Sequence, residues 1–181
     1  MHRNQLLRLL ENHQPTDSQE IEMRFQTIAF VNQYPDCFER SLAIGHVTGS
    51  AWILNNAKTH ALLIHHRKLD AWFQPGGHAD GETDISIVAT KEAQEETGLV
   101  AKLIDNQIFD IDIHEIPARK SDPAHLHYDI RFLFEADMAD QIQQNHETKA
   151  ICWIELDQIH TFNNSSSIMR MVEKSQASFG A

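Results

Sequence analysis

Apolar residues recur at helical spacing at the beginning of the chain, with leucines on one side of residues 4–13. After a proline, Thr16 and Gln19 have the spacing of an N-terminal capping box. The same segment continues with an apolar stripe formed by Ile21, Phe25, Ile28 and Ala29. A second proline then ends the pattern. We therefore predict a helical N-terminal extension over residues 1–40, which could cover a sheet or form a homodimer surface.

Strand-like segments begin near residue 44. Two runs of apolar and β-branched residues are joined by the turn Asn-Asn-Ala-Lys, which predicts a β-hairpin. The remaining regular segments are a capped amphipathic helix near the C-terminus and strands within residues 100–116, 125–136 and 150–156. The chain shows no internal repeat and no linker. We predict one α+β domain over residues 41–181, which forms a single compact unit with the extension.

A third helix is predicted over residues 84–97, and its apolar face carries Glu92 and Glu96, with Glu95 at the edge. The rest of that face is formed by Ile85, Val88 and Ala89. A glutamate on a core-facing stripe is costly unless it is paired, and like charges one turn apart disfavour the helix. A divalent cation bound by these carboxylates would remove both penalties. The alternative is an acidic face in contact with solvent.

Composition limits the classes of partner. Fifteen Lys and Arg residues against 26 Asp and Glu residues give a net charge of -11, which argues against a nucleic-acid or anionic-membrane surface. No apolar run approaches the roughly 20 residues that span a bilayer, and the N-terminus lacks the pattern of a secretory signal. Cys37 and Cys152 form no disulfide framework and no metal-binding pattern. These features predict a cytoplasmic protein.

A Pro75-Gly76-Gly77 turn precedes the acidic helix, and its glycines allow close approach of the backbone to a ligand. The stretch from Gly77 to Leu99 resembles the box of the Nudix hydrolase family. In that family a glycine, five residues, a glutamate and seven residues precede Arg-Glu-apolar-x-Glu-Glu-x-Gly-apolar. The second half matches here as "KEAQEETGL", and "GGHADG" is similar to an unassigned subgroup of the family.

Two positions depart from the family pattern. Lys91 stands where the family has arginine, and lysine lacks the fork that holds a carboxylate bidentately. Thr83 occupies the position of the loop glutamate, and Glu82 precedes it. The supporting role of Glu82 is therefore left open.

The resemblance implies an α/β/α sandwich with a mixed β-sheet and a Mg²⁺-dependent pyrophosphohydrolase, in which Mn²⁺ could substitute. Its substrate would be a nucleoside diphosphate linked to another group, with nucleotide sugars or ADP-ribose first and nucleoside triphosphates next. Glu92 and Glu96 would be the principal metal ligands, and Glu95 would be a further ligand or would help to activate water. The Gly76 carbonyl would complete the metal site.

The family often recruits one more acidic residue from a distant loop as metal ligand or general base. Glu147 is the candidate, because it lies in a loop before a predicted strand; an ordinary loop glutamate is the alternative. Weaker rivals are Asp110, Asp112 and Glu115.

Three residues are candidates for substrate contact: Arg67, His78 and Arg131. Arg67 follows a strand that leads towards the glycine turn and would bind phosphate oxygens, unless it belongs to a plain polar loop. His78 could touch substrate or make a loop hydrogen bond. Arg131 would line the cleft from the polar face of its strand, where a solvated salt bridge is the alternative.

The segment "HLHYDI" also resembles the start of the metallo-hydrolase pattern His-x-His-x-Asp-His. His125, His127 and Asp129 match this pattern, but Ile130 stands where its last histidine is required, so a zinc hydrolase of that kind is disfavoured. Two other classes remain: a Nudix-fold nucleotide sensor without catalysis, and a diphosphate isomerase. The isomerase needs a cysteine opposite the acidic site, and nothing in the sequence places one there.

Overall fold

The computed structural model describes residues 2–118 and 123–179. Its helices are α1 (Asn4–Asn12), α2 (Ser18–Gln33), α3 (Ile85–Thr97) and α4 (Ser166–Phe179), with a short 3₁₀-helix at Leu156–Thr161. Its strands are β1 (Gly45–Asn55), β2 (His60–His66), β3 (Ala71–Phe73), β4 (Gly76–His78), β5 (Lys102–Leu103), β6 (Asp110–Ile116), β7 (His125–Ala136) and β8 (Thr148–Glu155).

The strands form one mixed sheet with the order β3-β2-β1-β7-β5. Outside this path, β4 pairs with β1, β6 pairs with β7, and β8 pairs with β2. A mixed sheet with flanking helices confirms the predicted fold class. Among the described residues, no helix combines the length and the apolar character that crossing a membrane requires.

The chain divides into two compact units. The first comprises Met1–Ser50, Gly76–Ala89 and Asn106–Phe132. In this unit α2 packs against β6, and the Phe30 ring stacks on the Tyr128 ring with their centroids 3.9 Å apart. The buried Glu20 carboxylate accepts a hydrogen bond from the Ile111 backbone N–H (3.1 Å) and lies 2.7 Å from His13 Nε2. These contacts attach the N-terminal helices to the strands of their own unit.

The second unit comprises Ala51–Pro75, Thr90–Asp105 and Leu133–Ala181. Its main pairing joins β2 and β8 in antiparallel register from His60 opposite Glu155 to His66 opposite Thr148. Beside this pairing the buried Trp52 donates a hydrogen bond from Nε1 to Ser175 Oγ on α4 (2.9 Å).

Two predictions for α2 are wrong. The cap is Asp17, whose side chain accepts the Glu20 N–H at 2.9 Å, and not Thr16 with Gln19. The predicted apolar stripe also fails, because Phe25 is 56% exposed and Ile21 is exposed as well. The buried side of the helix is formed instead by Glu20, Thr27, Phe30 and Val31. Burial of a glutamate and a threonine, each with a hydrogen-bond partner, turns the helix away from its most apolar sequence stripe.

The predicted hairpin, the later strands and the C-terminal helix are observed as β1–β2, β6, β7, β8 and α4. The predicted strand at 100–116 is interrupted, because only the two-residue β5 and then β6 form there. β3 and β4 are three residues each, too short to give a period-2 pattern in the sequence.

Candidate active site

The start of α3 is fixed by hydrogen bonds from its own unit. The Asp84 carboxylate accepts hydrogen bonds from the Ser86 N–H (3.2 Å) and hydroxyl (2.6 Å), and Gln5 of α1 donates to it at 2.7 Å. Partial burial opposes ionisation of Asp84, but these hydrogen bonds prevail and lower its pKa. The negative cap stabilises the positive end of the helix dipole. An N-terminal helix therefore helps to position α3.

Glu82 also acts at this helix start. Its carboxylate accepts the backbone N–H groups of Thr83 (2.7 Å) and Asp84 (2.9 Å). The shift of this glutamate by one position in the sequence therefore leaves it capping the loop in front of α3.

The three glutamates of α3 have different surroundings. Glu96 is only 4% exposed, Glu92 is half-buried, and Glu95 is exposed. Glu95 Oε1 lies 3.6 Å from Lys91 Nζ, so the lysine at the family's arginine position pairs with the outermost glutamate. On the same helix Ile85, Val88, Ala89 and Ala93 are buried, whereas Ile87 is exposed. The burial agrees with the spacing, which places Glu92 and Glu96 on the apolar side.

The donors on this side suit a hard dication. Glu92 and Glu96 supply carboxylate oxygens one helical turn apart, and oxygen is the donor that Mg²⁺ prefers. A carboxylate as buried as that of Glu96 carries a large desolvation cost, and a bound cation offsets that cost. The residues present therefore fit Mg²⁺ or Mn²⁺.

Glu147 lies in a loop that Arg67 holds from both sides. The Arg67 guanidinium donates to the carbonyls of His146 and Thr148, each at 3.0 Å, and the Arg67 N–H donates to the Glu147 carbonyl at 2.8 Å. These bonds fix the backbone on either side of the glutamate. The predicted contact of Arg67 with phosphate stays a prediction, since two nitrogens of its guanidinium already donate to this loop.

The same loop is attached to the C-terminal end of α3. Asn145 donates from Nδ2 to the Glu95 carbonyl (3.1 Å) and accepts the Glu147 N–H at its Oδ1 (2.8 Å). The Gln143 N–H donates to the Thr97 carbonyl at 2.8 Å. One asparagine thus joins the backbone of a predicted metal-ligating glutamate to that of the predicted general base. No local sequence pattern identifies Asn145, whose only signal is its position two residues before Glu147.

Gly76 lies where no side chain fits. A Cβ at this position would lie 2.1 Å from Ser50 Oγ and 3.0 Å from the Gly49 carbonyl oxygen. Gly76 pairs with Ser50 across β4 and β1, and Ser50 in turn donates to Asp129 Oδ1 at 2.7 Å. The glycine is therefore required by the packing of β4 on β1. Its role as a metal-ligating carbonyl stays a prediction from the family pattern.

Arg131 is buried among three carboxylates. It is 3% exposed and pairs with Asp129 (2.8 Å), Asp110 (3.1 Å) and Asp112 (3.3 Å). Burial disfavours the guanidinium charge, but the three aspartates prevail and raise the Arg131 pKa. The polar strand face is thus a buried ionic cluster and not a solvated surface. A phosphate bound by Arg131 would have to compete with these carboxylates.

The cluster around Arg131 contains two of the three weaker rivals of Glu147 as the general base. Asp110 and Asp112 are ion-paired with Arg131, and Glu115 is exposed on β6. Two of the three rivals are therefore already ion-paired with a buried cation.

His78 lies in a group of histidine rings within the first unit. Its ring centroid is 5.0 Å from that of His46 and 5.0 Å from that of His127. Burial, aided by Arg40, lowers its pKa, whereas Asp80 acts in the opposite direction. His46 and its proximity to His127 were not identified from the sequence, because they lie on strands far apart in the chain.

Comparison with known sequences gives one family. A family model described as the NUDIX domain matches residues 45–173. No curated protein matches the sequence.

Several solved structures share the fold. An Ap4A hydrolase from C. elegans, in a binary complex, superposes with a TM-score of 0.59 at 18% identity and covers 72% of this chain and 95% of its own. The dihydroneopterin triphosphate pyrophosphohydrolase of E. coli gives 0.58 at 19% identity, over 71% of this chain and 92% of its own. A MutT protein from Methanosarcina mazei Go1 gives 0.55 at 16% identity, over 77% and 99%. At these identities the likeness establishes the fold.

Proposed function

The chain belongs to the Nudix hydrolase family, whose members act on phosphorus anhydrides. On that premise we propose that it is a Mg²⁺-dependent pyrophosphohydrolase that acts on a nucleoside-diphosphate-linked small molecule. The observation that carries this proposal is the acidic side of α3, where Glu96 is buried at 4% exposure and Glu92 is half-buried one turn away. Such a pair of carboxylates is suited to a dication and a polyphosphate.

Glu92 and Glu96 are assigned as the metal ligands, with Glu95 as a further ligand or as an aid to water activation. When bound, the dication would neutralise charge on the phosphate oxygens and on the leaving group. Mn²⁺ is expected to substitute, because it shares the preference for oxygen donors. The exposed pairing of Glu95 with Lys91 supports a secondary role for Glu95.

Glu147 is assigned as the general base. Water forms a new bond to one phosphorus, the P–O bond to the bridging oxygen breaks, and the leaving phosphate takes that electron pair. The Glu147 carboxylate accepts the proton that the attacking water loses. Support comes from the fixed backbone of its loop, which Arg67 and Asn145 hold on both sides. In this proposal Arg67 is a positioning residue.

Nucleotide sugars and ADP-ribose remain the first substrates to test, followed by nucleoside triphosphates. Two structural neighbours carry Ap4A and dihydroneopterin triphosphate in their names, so both compounds belong in the same panel.

The test is hydrolysis of this panel by the full chain with Mg²⁺ or Mn²⁺, beside Glu96→Gln and the control Glu173→Gln. Glu173 is an exposed glutamate of α4. We expect metal-dependent turnover that Glu96→Gln lowers by about 10²-fold or more and that the control leaves unchanged. Equal turnover by both variants would show that the acidic side of α3 takes no part in the reaction. Saturable binding of one compound without turnover would favour the sensor alternative.

A further inference from the structure

Five histidines of the first unit lie together beside the buried ionic cluster of Arg131. The His127 ring centroid on β7 lies 4.9 Å from that of His46 on β1 and 5.0 Å from that of His78 on β4. It lies 5.3 Å from that of His125 and 5.4 Å from that of His114 on β6. The histidines thus come from four strands. Because the four strands are far apart in the chain, no local sequence motif contains all five histidines.

Three of these rings can point a nitrogen at one common position. One ring nitrogen each from His46, His125 and His127 lies within 4.8 Å of the other two. We propose that these three histidines bind one transition-metal dication of the Zn²⁺ class. Neutral imidazole nitrogen suits zinc, nickel or cobalt, whereas Mg²⁺ requires oxygen donors. His46, the third ligand, comes from β1. The site therefore does not need the last histidine of the metallo-hydrolase pattern, whose position Ile130 occupies.

A second observation points to a ligand at this position. His46 is 3% exposed, and within residues 2–118 and 123–179 neither of its ring nitrogens has a hydrogen-bond partner at ordinary distance and angle, because the Leu42 backbone nearby makes only a poorly aligned polar contact. The buried Nε2 of His127 also lacks a hydrogen-bond partner in those residues. Buried polar atoms without partners are costly and rare in native proteins. A metal ion bound to these nitrogens would remove that cost.

The tautomer of the His125 ring is already fixed. His125 Nδ1 lies 2.9 Å from the Pro123 carbonyl oxygen, and a carbonyl can only accept, so Nδ1 carries the proton. In the neutral ring the lone pair is therefore on Nε2. A ligating histidine usually donates its other N–H to a carbonyl or a carboxylate in this way.

The rings of His46 and His127 are also kept neutral. Burial, with repulsion from His78 and His125, lowers the His46 pKa to about 4, while the Leu42 backbone acts weakly in the opposite direction. Burial and four neighbouring histidines lower the His127 pKa to about 2. A metal therefore has no proton to displace from these two ligands at neutral pH.

The site can close with small movements. Zn–N bonds of about 2.0–2.1 Å at tetrahedral angles place ligand nitrogens roughly 3.3 Å apart. Starting from separations within 4.8 Å, each nitrogen has to move by under about 1 Å, which a ring rotation supplies. His78 or a water would take the fourth position. All three ligands belong to the first unit, whereas Glu92, Glu95 and Glu96 belong to the second.

The test is calorimetric titration of the full, chelator-treated chain with ZnCl₂, with MgCl₂ in parallel. We expect one tight Zn²⁺ per chain, weakened at least about 100-fold by His125→Ala or by His127→Asn. His160→Ala, an exposed histidine of the 3₁₀-helix, is the matched control and should bind as the parent does. A Glu92→Gln/Glu96→Gln variant should also keep the tight Zn²⁺ site, which separates it from the proposed hydrolase metal.

Zn X-ray absorption of the loaded chain adds a readout that needs no turnover. We expect the multiple-scattering signal of at least three imidazoles. The proposal is overturned by the absence of stoichiometric Zn²⁺ binding, by binding that both histidine variants retain, or by an oxygen-only shell that the glutamate variant abolishes. If His127→Asn does not fold, His125→Ala decides, because His125 is half-buried at the first position of β7.

Discussion

Asn145 and Glu95 are joined by a hydrogen bond from the Asn145 side-chain amide to the Glu95 backbone carbonyl, 3.1 Å long. The other end of the same amide accepts the Glu147 N–H. One side chain therefore spans the last turn of the acidic helix and the loop that carries the proposed base. A variant without the Asn145 side chain keeps every carboxylate. It therefore tests the positioning of Glu147 without changing the chemical group that acts as the base.

We predict that Asn145→Ala lowers kcat by roughly tenfold or more, because a base misplaced by about 1 Å is inefficient. The KM and the affinity for Mg²⁺ should change little. Steady-state kinetics and metal titration check this, with Asn106→Ala, an exposed asparagine outside this loop, as control. An unchanged kcat would show that the loop is held adequately by Arg67 alone.

Arg131→Met is predicted to destabilise the fold by about 3–5 kcal/mol, because it leaves buried carboxylates without their cation. Arg40→Met is the matched control: Arg40 also pairs with an aspartate, Asp80, but both side chains are exposed. That pair should contribute at most about 1 kcal/mol. Urea unfolding of the parent and both variants at pH 7 measures the difference. Equal losses would mean that the buried cluster contributes no more than a surface ion pair.

Gly76→Ala is predicted to displace β4 and to destabilise the protein by about 1–3 kcal/mol, because the new methyl overlaps Ser50. Ser50→Gly removes both the hydroxyl and the Cβ that the methyl would meet, 2.1 and 2.8 Å away. The double variant should therefore lose less stability than the sum of the two single changes. Thermal or urea unfolding of all four chains tests this coupling, and simple additivity would contradict the steric explanation.

The two cysteines are predicted to differ in reactivity. Burial of Cys37 disfavours its thiolate and raises its pKa to about 11, against a partial opposing effect of Arg3. Cys152 is exposed on β8. At pH 8 a disulfide reagent should titrate one thiol in the native chain and two in urea, and Cys152→Ser should abolish the native reaction. Rapid reaction of two native thiols would contradict the burial of Cys37.

The same pKa shift has a defined effect on stability. The folded pKa of Cys37 lies above the ordinary value of 9.0, so the folded state holds this proton more tightly. The stability that follows is present below pH 9 and is lost as the pH rises towards 11. Cys37→Ala should flatten this part of the stability–pH curve relative to Cys152→Ser.

The sequence by itself determined the hairpin, the strand at residues 125–136 and the acidic helix, because each depends on a local period of two or 3.6 residues. It also placed Glu92 and Glu96 on the apolar side, since helical spacing alone decides which residues share a face. The cap of α2 shows the limit of that logic. Thr16 and Asp17 are both good N-cap residues in isolation. In the structure Asp17 is the cap, and its partner Glu20 also accepts a hydrogen bond from Ile111, on a strand far along the chain.

Only the tertiary structure brought together residues that no local pattern relates. Arg131 and Asp110 lie on neighbouring strands, and the same strand pairing turns a polar face that looks solvated into a buried ionic cluster. His46 joins His125 and His127 in the same way. Long-range pairing sets which side chains meet and whether water reaches them, and burial in turn sets their charge and their capacity to bind a metal.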